Sequence, residues 1–166
     1  MSAAPARSSV VYGSTATGIV DDTTRRSLRL TPTNEITELI AARLLDCMNR
    51  AGEHFGLTLR ECEESQFLRY QEGDFFVAHQ DGNTGLLRLD TERRLVSTVI
   101  FLSRETDTPD SNGYCGGSLV FTNLRGPEQV HVRAEPGTLV AFRSETTHEV
   151  TPVTYGERYS IVSWYR

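Results

Sequence analysis

The chain has 166 residues, 38% of them hydrophobic and 23% charged, with a formal net charge of −5. All 17 basic residues are arginine, and the absence of lysine excludes a pyridoxal Schiff base, a phosphate-loop lysine and a serine–lysine dyad. Any anion the protein grips is held by Arg, His or backbone N–H groups.

The acidic balance argues against nucleic acid as a partner. Local clusters, Arg25-Arg26 with Arg29 and Arg93-Arg94 with Arg88, read as solvated edges. Three cysteines without a CxxC pair point away from a disulfide framework or a thiolate zinc site, and toward a reducing, cytoplasmic setting. No stretch of 18 apolar residues and no charged-then-apolar leader stands in the sequence, so no membrane association is expected. Nothing in it speaks to oligomeric state.

Residues 1–24, rich in Ser, Ala, Thr and Gly, read as an N-terminal arm, and residues 25–166 as a single domain. Thr31-Pro32 supplies an N-cap and a proline for the first helical position. Ile36, Leu39, Ile40, Leu44, Leu45 and Met48 follow at helical spacing, predicting a helix with that stripe on the core, closed at Gly52 or Gly56. Beyond Gly56 the period falls to two, with β-rich runs at 66–70, 74–78, 95–102, 118–121, 129–132, 138–142, 148–153 and 159–165. Turn signals such as Asp81-Gly82-Asn83, Gly116-Gly117, Gly126-Pro127 and Pro136-Gly137 separate them. Cys115 falls in the 113–118 stretch, read as a loop. Short strands behind one long helix predict a mainly β (α+β) fold: a double-stranded β-helix, or cupin-like jelly roll, with an N-terminal supporting helix. An immunoglobulin-like sandwich lacks its Cys–Trp–Cys pattern here.

Two of the four histidines stand where chemistry is expected. His79 and Asp81 form a His-x-Asp pair, and in extended chain positions i and i+2 share a face. With His148 they make the two-imidazole, one-carboxylate set that leaves coordination positions open on a non-haem Fe(II), although such a trio also arises by chance. The turn around Gly156 folds the Arg158 run back beside His148, and a fixed cation there suits a dicarboxylate chelating the metal. The alternative is an ion pair between Arg158 and Glu157 or another surface acid. His54 and His131 read as structural or surface residues.

From Phe67 to Trp164 the chain resembles the prolyl-4-hydroxylase-type branch of the Fe(II)/2-oxoglutarate dioxygenases. The matching pieces are Arg69-Tyr70 with Gly73, His79-x-Asp81, the STVIFL run from Ser97 to Leu102 and Gly116-Gly117 before Leu119 and Phe121. Pro136-Gly137 with Phe142, His148-Glu149-Val150 and Arg158-Tyr159-x-Ile161-x-x-Trp164 complete them. The resemblance implies that His79, Asp81 and His148 hold Fe(II), with O2 and 2-oxoglutarate as cosubstrates and ascorbate as a candidate reductant. Arg158 would pair with the distal carboxylate of 2-oxoglutarate, with Tyr70 close by. Collagen-type relatives use lysine at the Arg158 position, and oxygen-sensing ones have tyrosine where this chain has Phe101. Ser97, Ser160 or Tyr70 is therefore expected to give the second contact. Trp164 and Arg88 would line the substrate pocket, under a covering loop at 82–94.

Asp81 favours hydroxylation, because related halogenases replace that carboxylate with a small residue. Nucleic-acid demethylases carry a second arginine six residues beyond the first, where this chain has Trp164, and isomerase or storage cupins show His-x-His with a glutamate. The implied activity is hydroxylation of an aliphatic C–H, first of a prolyl residue in a peptide or protein, with release of succinate and CO2. The alternatives are a free amino acid or other small metabolite as substrate, and a non-catalytic jelly-roll binding or sensing module.

Overall fold

The computed structural model describes residues 6–8, 23–82, 93–122 and 128–166. Two short strands, β1 (Ala6–Ser8) and β2 (Leu28–Leu30), precede the helix α1 (Asn34–Phe55). The helix begins later than Thr31-Pro32 suggests. Thr33, extended at φ −70° and ψ 158°, is the N-cap, and its Oγ1 accepts the Ile36 N–H. That bond satisfies a first-turn donor that no helical carbonyl can reach. Gly56 ends the helix in the left-handed region at φ 66°, where the Leu57 N–H returns to the Gly52 carbonyl.

Only part of the expected apolar stripe faces the core. Ile40, Leu44 and Met48, continued by Ala51 and Phe55, pack against Val96 and Tyr165. Ile36, Leu39 and Leu45 stay 46%, 56% and 51% exposed. The apolar spacing permits two overlapping rows, and the sheet beneath accepts only one.

Eleven further strands follow the helix: β3 (Gln66–Tyr70), β4 (Phe76–His79), β5 (Val96–Phe101), β6 (Arg104–Glu105), β7 (Gly113–Gly116), β8 (Leu119–Thr122), β9 (Gln129–Val132), β10 (Leu139–Arg143), β11 (His148–Val150), β12 (Val153–Tyr155) and β13 (Arg158–Tyr165). The larger sheet runs β1-β2-β3-β13-β5-β10, a second runs β4-β11-β8-β9, and a small third one runs β12-β7-β6. The pairings are antiparallel except β6 with β7. This is the predicted jelly roll. The run expected at 148–153 is divided, because Pro152 cannot donate to a ladder; its carbonyl instead accepts the Gly117 N–H. The stretch 113–118 is not simply a loop: 113–116 form β7 against β12, leaving Cys115 only 8% exposed and Tyr114 fully buried.

Alternation along the strands sorts the side chains. On β5, Val96 and Ile100 meet the helix layer, while Val99 and Phe101 point into the barrel. On β13, Tyr165 reaches the helix and donates to the Leu44 carbonyl at 2.7 Å. Arg158, Ser160, Val162 and Trp164 therefore share the inward face. Among the described residues, no helix is long and apolar enough to cross a membrane.

Leu44→Ala is expected to cost about 3 kcal/mol in a denaturant titration, and Leu39→Ala less than about 0.5 kcal/mol. Equal losses would mean that the helix packs through another face.

Candidate metal and carboxylate site

His79 closes β4, Asp81 follows two residues later, and His148 opens β11 directly opposite His79 in the ladder. One antiparallel pairing thus joins residues far apart in sequence. The ligating atoms of the three lie within 4.8 Å of one another. Asp81 Oδ1 is 3.6 Å from His79 Nε2, and Oδ2 is 3.5 Å from His148 Nε2. Each imidazole sets its own tautomer. His79 Nδ1 lies 2.8 Å from the Val77 carbonyl and His148 Nδ1 3.0 Å from that of Thr146. A carbonyl only accepts, so both Nδ1 atoms carry a proton, and Nε2 is the nitrogen of each ring turned to Asp81 and the one a metal would take.

Asp81 is gripped from behind. Its N–H and that of Gly82 donate to the Ser144 carbonyl at 2.9 and 3.2 Å. The Ser144 and Ser97 hydroxyls, both fully buried, pair at 3.0 Å. Burial alone would raise the Asp81 carboxyl, but the His148 charge, the His79 hydrogen bond and charge, and a bond from Ser97 outweigh it. The carboxyl is held well below the usual carboxylate range and stays ionised. Burial pushes the His148 imidazole down to about 4, against the pull of Asp81. An ionised carboxylate and a neutral imidazole are the protonation states a divalent metal takes up without displacing a proton.

Arg158 points inward and is 1% exposed. It does not pair with Glu157, which instead receives Gln71 Nε2, the Tyr159 hydroxyl and Arg69 Nη1. Arg158 Nη1 donates to Ser160 Oγ at 2.8 Å, so the guanidinium is drawn along β13 toward the strand end that pairs with Ser97. Its carbon lies 5.1 Å from the Tyr70 ring centre and 5.6 Å from that of Phe101. Among the described residues Arg158 forms no ion pair, and its Nε has no partner.

Of the residues anticipated for the second contact, Tyr70 and Ser160 both touch Arg158, and Tyr114 lies there too. Ser97 serves Asp81 and Ser160 binds Arg158, and the Tyr114 hydroxyl is buried within reach of the Arg158 guanidinium, its neighbour in charge and hydrogen bonding. Burial, helped by Glu105 and opposed by the Arg158 charge, pushes that phenol up to about 12, so it remains a neutral donor. A Cβ at Gly117 (φ +59°) would come within 2.8 Å of Val153 Cγ2, 3.1 Å of Tyr114 Cε2 and 3.2 Å of Arg158 Cδ. Glycine is what lets the chain lie against both groups. The glycines around Tyr114 gave the segment its loop-like signature and hid a buried strand residue.

Two arginines expected at solvated edges are buried: Arg25 is 8% exposed and stacks on Phe76, and Arg94 is 9% exposed and stacks on Trp164 at 3.6 Å. Glu63 binds Arg94 through both oxygens, at 2.8 and 2.7 Å. Trp164 lies inward with its Nε1 unpartnered. Arg88 and most of the expected covering loop lie outside the described residues. His54 and His131 are exposed and apart from the trio.

The metal-free protein is expected to lose stability as pH falls from 6.5 toward 4. Over that interval the unfolded chain binds a proton that His148, depressed to about 4, refuses in the fold. The loss amounts to about 3 kcal/mol across the window. Thermal melts should show the slope flattened in His148→Asn; an unchanged slope would assign the proton elsewhere.

Residues 65–166 match the family described as the 2OG-Fe(II) oxygenase superfamily. A PKHD-type hydroxylase of Shewanella oneidensis is 33% identical over 163 residues, an alignment covering 93% of this chain and 66% of the relative. The chain thus spans just under two thirds of that curated relative's length. A prolyl-4-hydroxylase structure from Pseudomonas putida superposes with a TM-score of 0.67 at 28% identity, covering 87% of this chain and 74% of that one. A viral collagen prolyl hydroxylase from Paramecium Bursaria Chlorella virus-1 gives 0.62 at 22% identity, covering 86% and 79%, and speaks to the fold alone. The family match, falling on the segment that carries His79, Asp81, His148 and Arg158, places this chain in the 2OG-Fe(II) oxygenase superfamily.

Proposed function

We propose that the chain is an Fe(II)- and 2-oxoglutarate-dependent hydroxylase of an aliphatic C–H, acting on a prolyl residue in a peptide or protein. The observation that carries the reading is a buried arginine with no ion pair among the described residues, Arg158, beside the Tyr114 hydroxyl in the same barrel as two imidazoles and one carboxylate. In this reading a dicarboxylate would be held by Arg158 and Tyr114 through one carboxylate, and His79, Asp81 and His148 would hold the metal that takes its other end. The names of the Shewanella and Pseudomonas relatives support the hydroxylase and prolyl assignments. Residues 25–166 form the catalytic domain in this reading, and three free cysteines accord with a cytoplasmic setting.

Bound Fe(II), with 2-oxoglutarate and O2, supplies the oxidising chemistry that hydroxylates a C–H bond and releases succinate and CO2. The protein's own residues position and exclude. Val77 and Thr146 hold the imidazole protons at Nδ1, turning Nε2 of His79 and His148 toward Asp81, where a metal would take it. Ser97 and Ser144 fix the Asp81 carboxylate. Ser160 aims Arg158, and Tyr114 keeps its proton to donate. Phe101 packs on Arg158 and Phe142 on His148, and Val99 and Leu119 continue the apolar cluster behind them.

Succinate release in the presence of Fe(II), 2-oxoglutarate and O2 is expected to rise with proline-containing peptides and to vanish in Asp81→Ala. Stimulation by free amino acids alone would replace the peptidyl assignment with a small-molecule one. Tyr114→Phe should raise the 2-oxoglutarate KM about tenfold, as expected for losing one hydrogen bond to a charged group. An unchanged KM would remove Tyr114 from the carboxylate site.

A further inference from the structure

We propose that segment 24–27, immediately ahead of β2, is part of the metal centre, with Arg25 a positioning residue that holds the His79 imidazole through Phe76. The inference rests on the metal reading of His79, Asp81 and His148.

His79 sits at the end of β4, which is the edge strand of its sheet. An edge strand is held by one ladder only, which is a poor mount for a ligand that must keep its geometry. Segment 24–27 binds that free edge. The Arg26 N–H donates to the Phe75 carbonyl at 2.9 Å, the Val77 N–H donates to the Thr24 carbonyl at 3.0 Å, and Arg25 bridges Phe76. Val77 is the same residue whose carbonyl accepts from His79 Nδ1. The backbone that fixes the tautomer is thereby tied to Thr24.

The side chains add a second restraint. Phe76 and His79 stack with ring centres 3.5 Å apart and planes 16° from parallel. On Phe76 in turn sits the Arg25 guanidinium, 4.6 Å from the ring centre, with its Nε donating to Ser27 Oγ at 3.0 Å. Arg25 is 8% exposed and forms no ion pair among the described residues, so the aromatic face is its charge partner. The Nδ1 bond decides which nitrogen faces the metal, and the stack decides the plane of the ring. Both restraints lead back to 24–27.

The test uses the full chain, metal-free, titrated with Co(II) and followed by visible absorption, with the His79 ring protons read by NMR before metal is added. Arg25→Ala and Phe76→Leu are expected to weaken Co(II) binding about tenfold, the low end for groups that orient a ligand from behind, with Arg25→Lys restoring part of it. The His79 ring protons should lose the upfield shift of a stacked ring in Phe76→Leu and move in Arg25→Ala. An Arg25→Ala protein with native circular dichroism, wild-type Co(II) affinity and unmoved His79 resonances would overturn the proposal. If the wild type takes up no Co(II), or His79→Ala takes it up equally well, the metal reading itself fails. The ring resonances still decide in that case whether Arg25 and Phe76 hold the imidazole.

Discussion

Arg158 carries a permanent positive charge into the middle of an apolar barrel, and taking such a charge out of water costs several kcal/mol unless something compensates it. The protein offers it one serine hydroxyl and two aromatic faces, and no acid among the described residues. Its immediate surroundings follow from that shortage. Ser160 is spent on aiming the guanidinium, Tyr70 and Phe101 present π-electron density, and Gly117 gives up a side chain so that the stem and the Tyr114 ring can be covered closely. Arg158 forms no ion pair among the described residues, and Glu157 beside it in sequence pairs with Arg69, so in the proposed function this cation takes its anion from outside.

The imidazole–carboxylate trio poses the complementary problem. Asp81 is an anion held ionised between two imidazoles whose Nε2 atoms face it. One end lacks an anion and the other lacks a cation, which is the electrostatic image of a dicarboxylate bound to a divalent metal. The two ends are linked by a single strand: the inward face of β13 starts at Arg158 and finishes at Trp164, opposite Ser97, whose hydroxyl serves Asp81.

Much of this centre was legible in the sequence because its parts depend on local rules. His79 and Asp81 meet through their i, i+2 spacing at the end of β4, and Arg158 shares the inward face of β13 with Ser160. What escaped was set by partners far away in sequence. Tyr114 sits among glycines that look like a loop until β12 pairs with them. Arg25 and Arg94 look like solvated charges until Phe76 and Trp164 receive them. On the helix, Ile36, Leu39 and Leu45 obey the same spacing as the true core row, and only the contour of the sheet tells the two apart.

The central claim is that the trio and Arg158 bind the two ends of one metal–cosubstrate unit. Anaerobic titration of the Fe(II)-loaded protein with 2-oxoglutarate, followed by the visible metal-to-ligand charge-transfer absorption, tests it most directly. The wild type should develop the band at saturation, and Arg158→Ala should require at least about tenfold more 2-oxoglutarate to reach it. A wild type without the band, or an Arg158→Ala protein that titrates identically, would contradict the account.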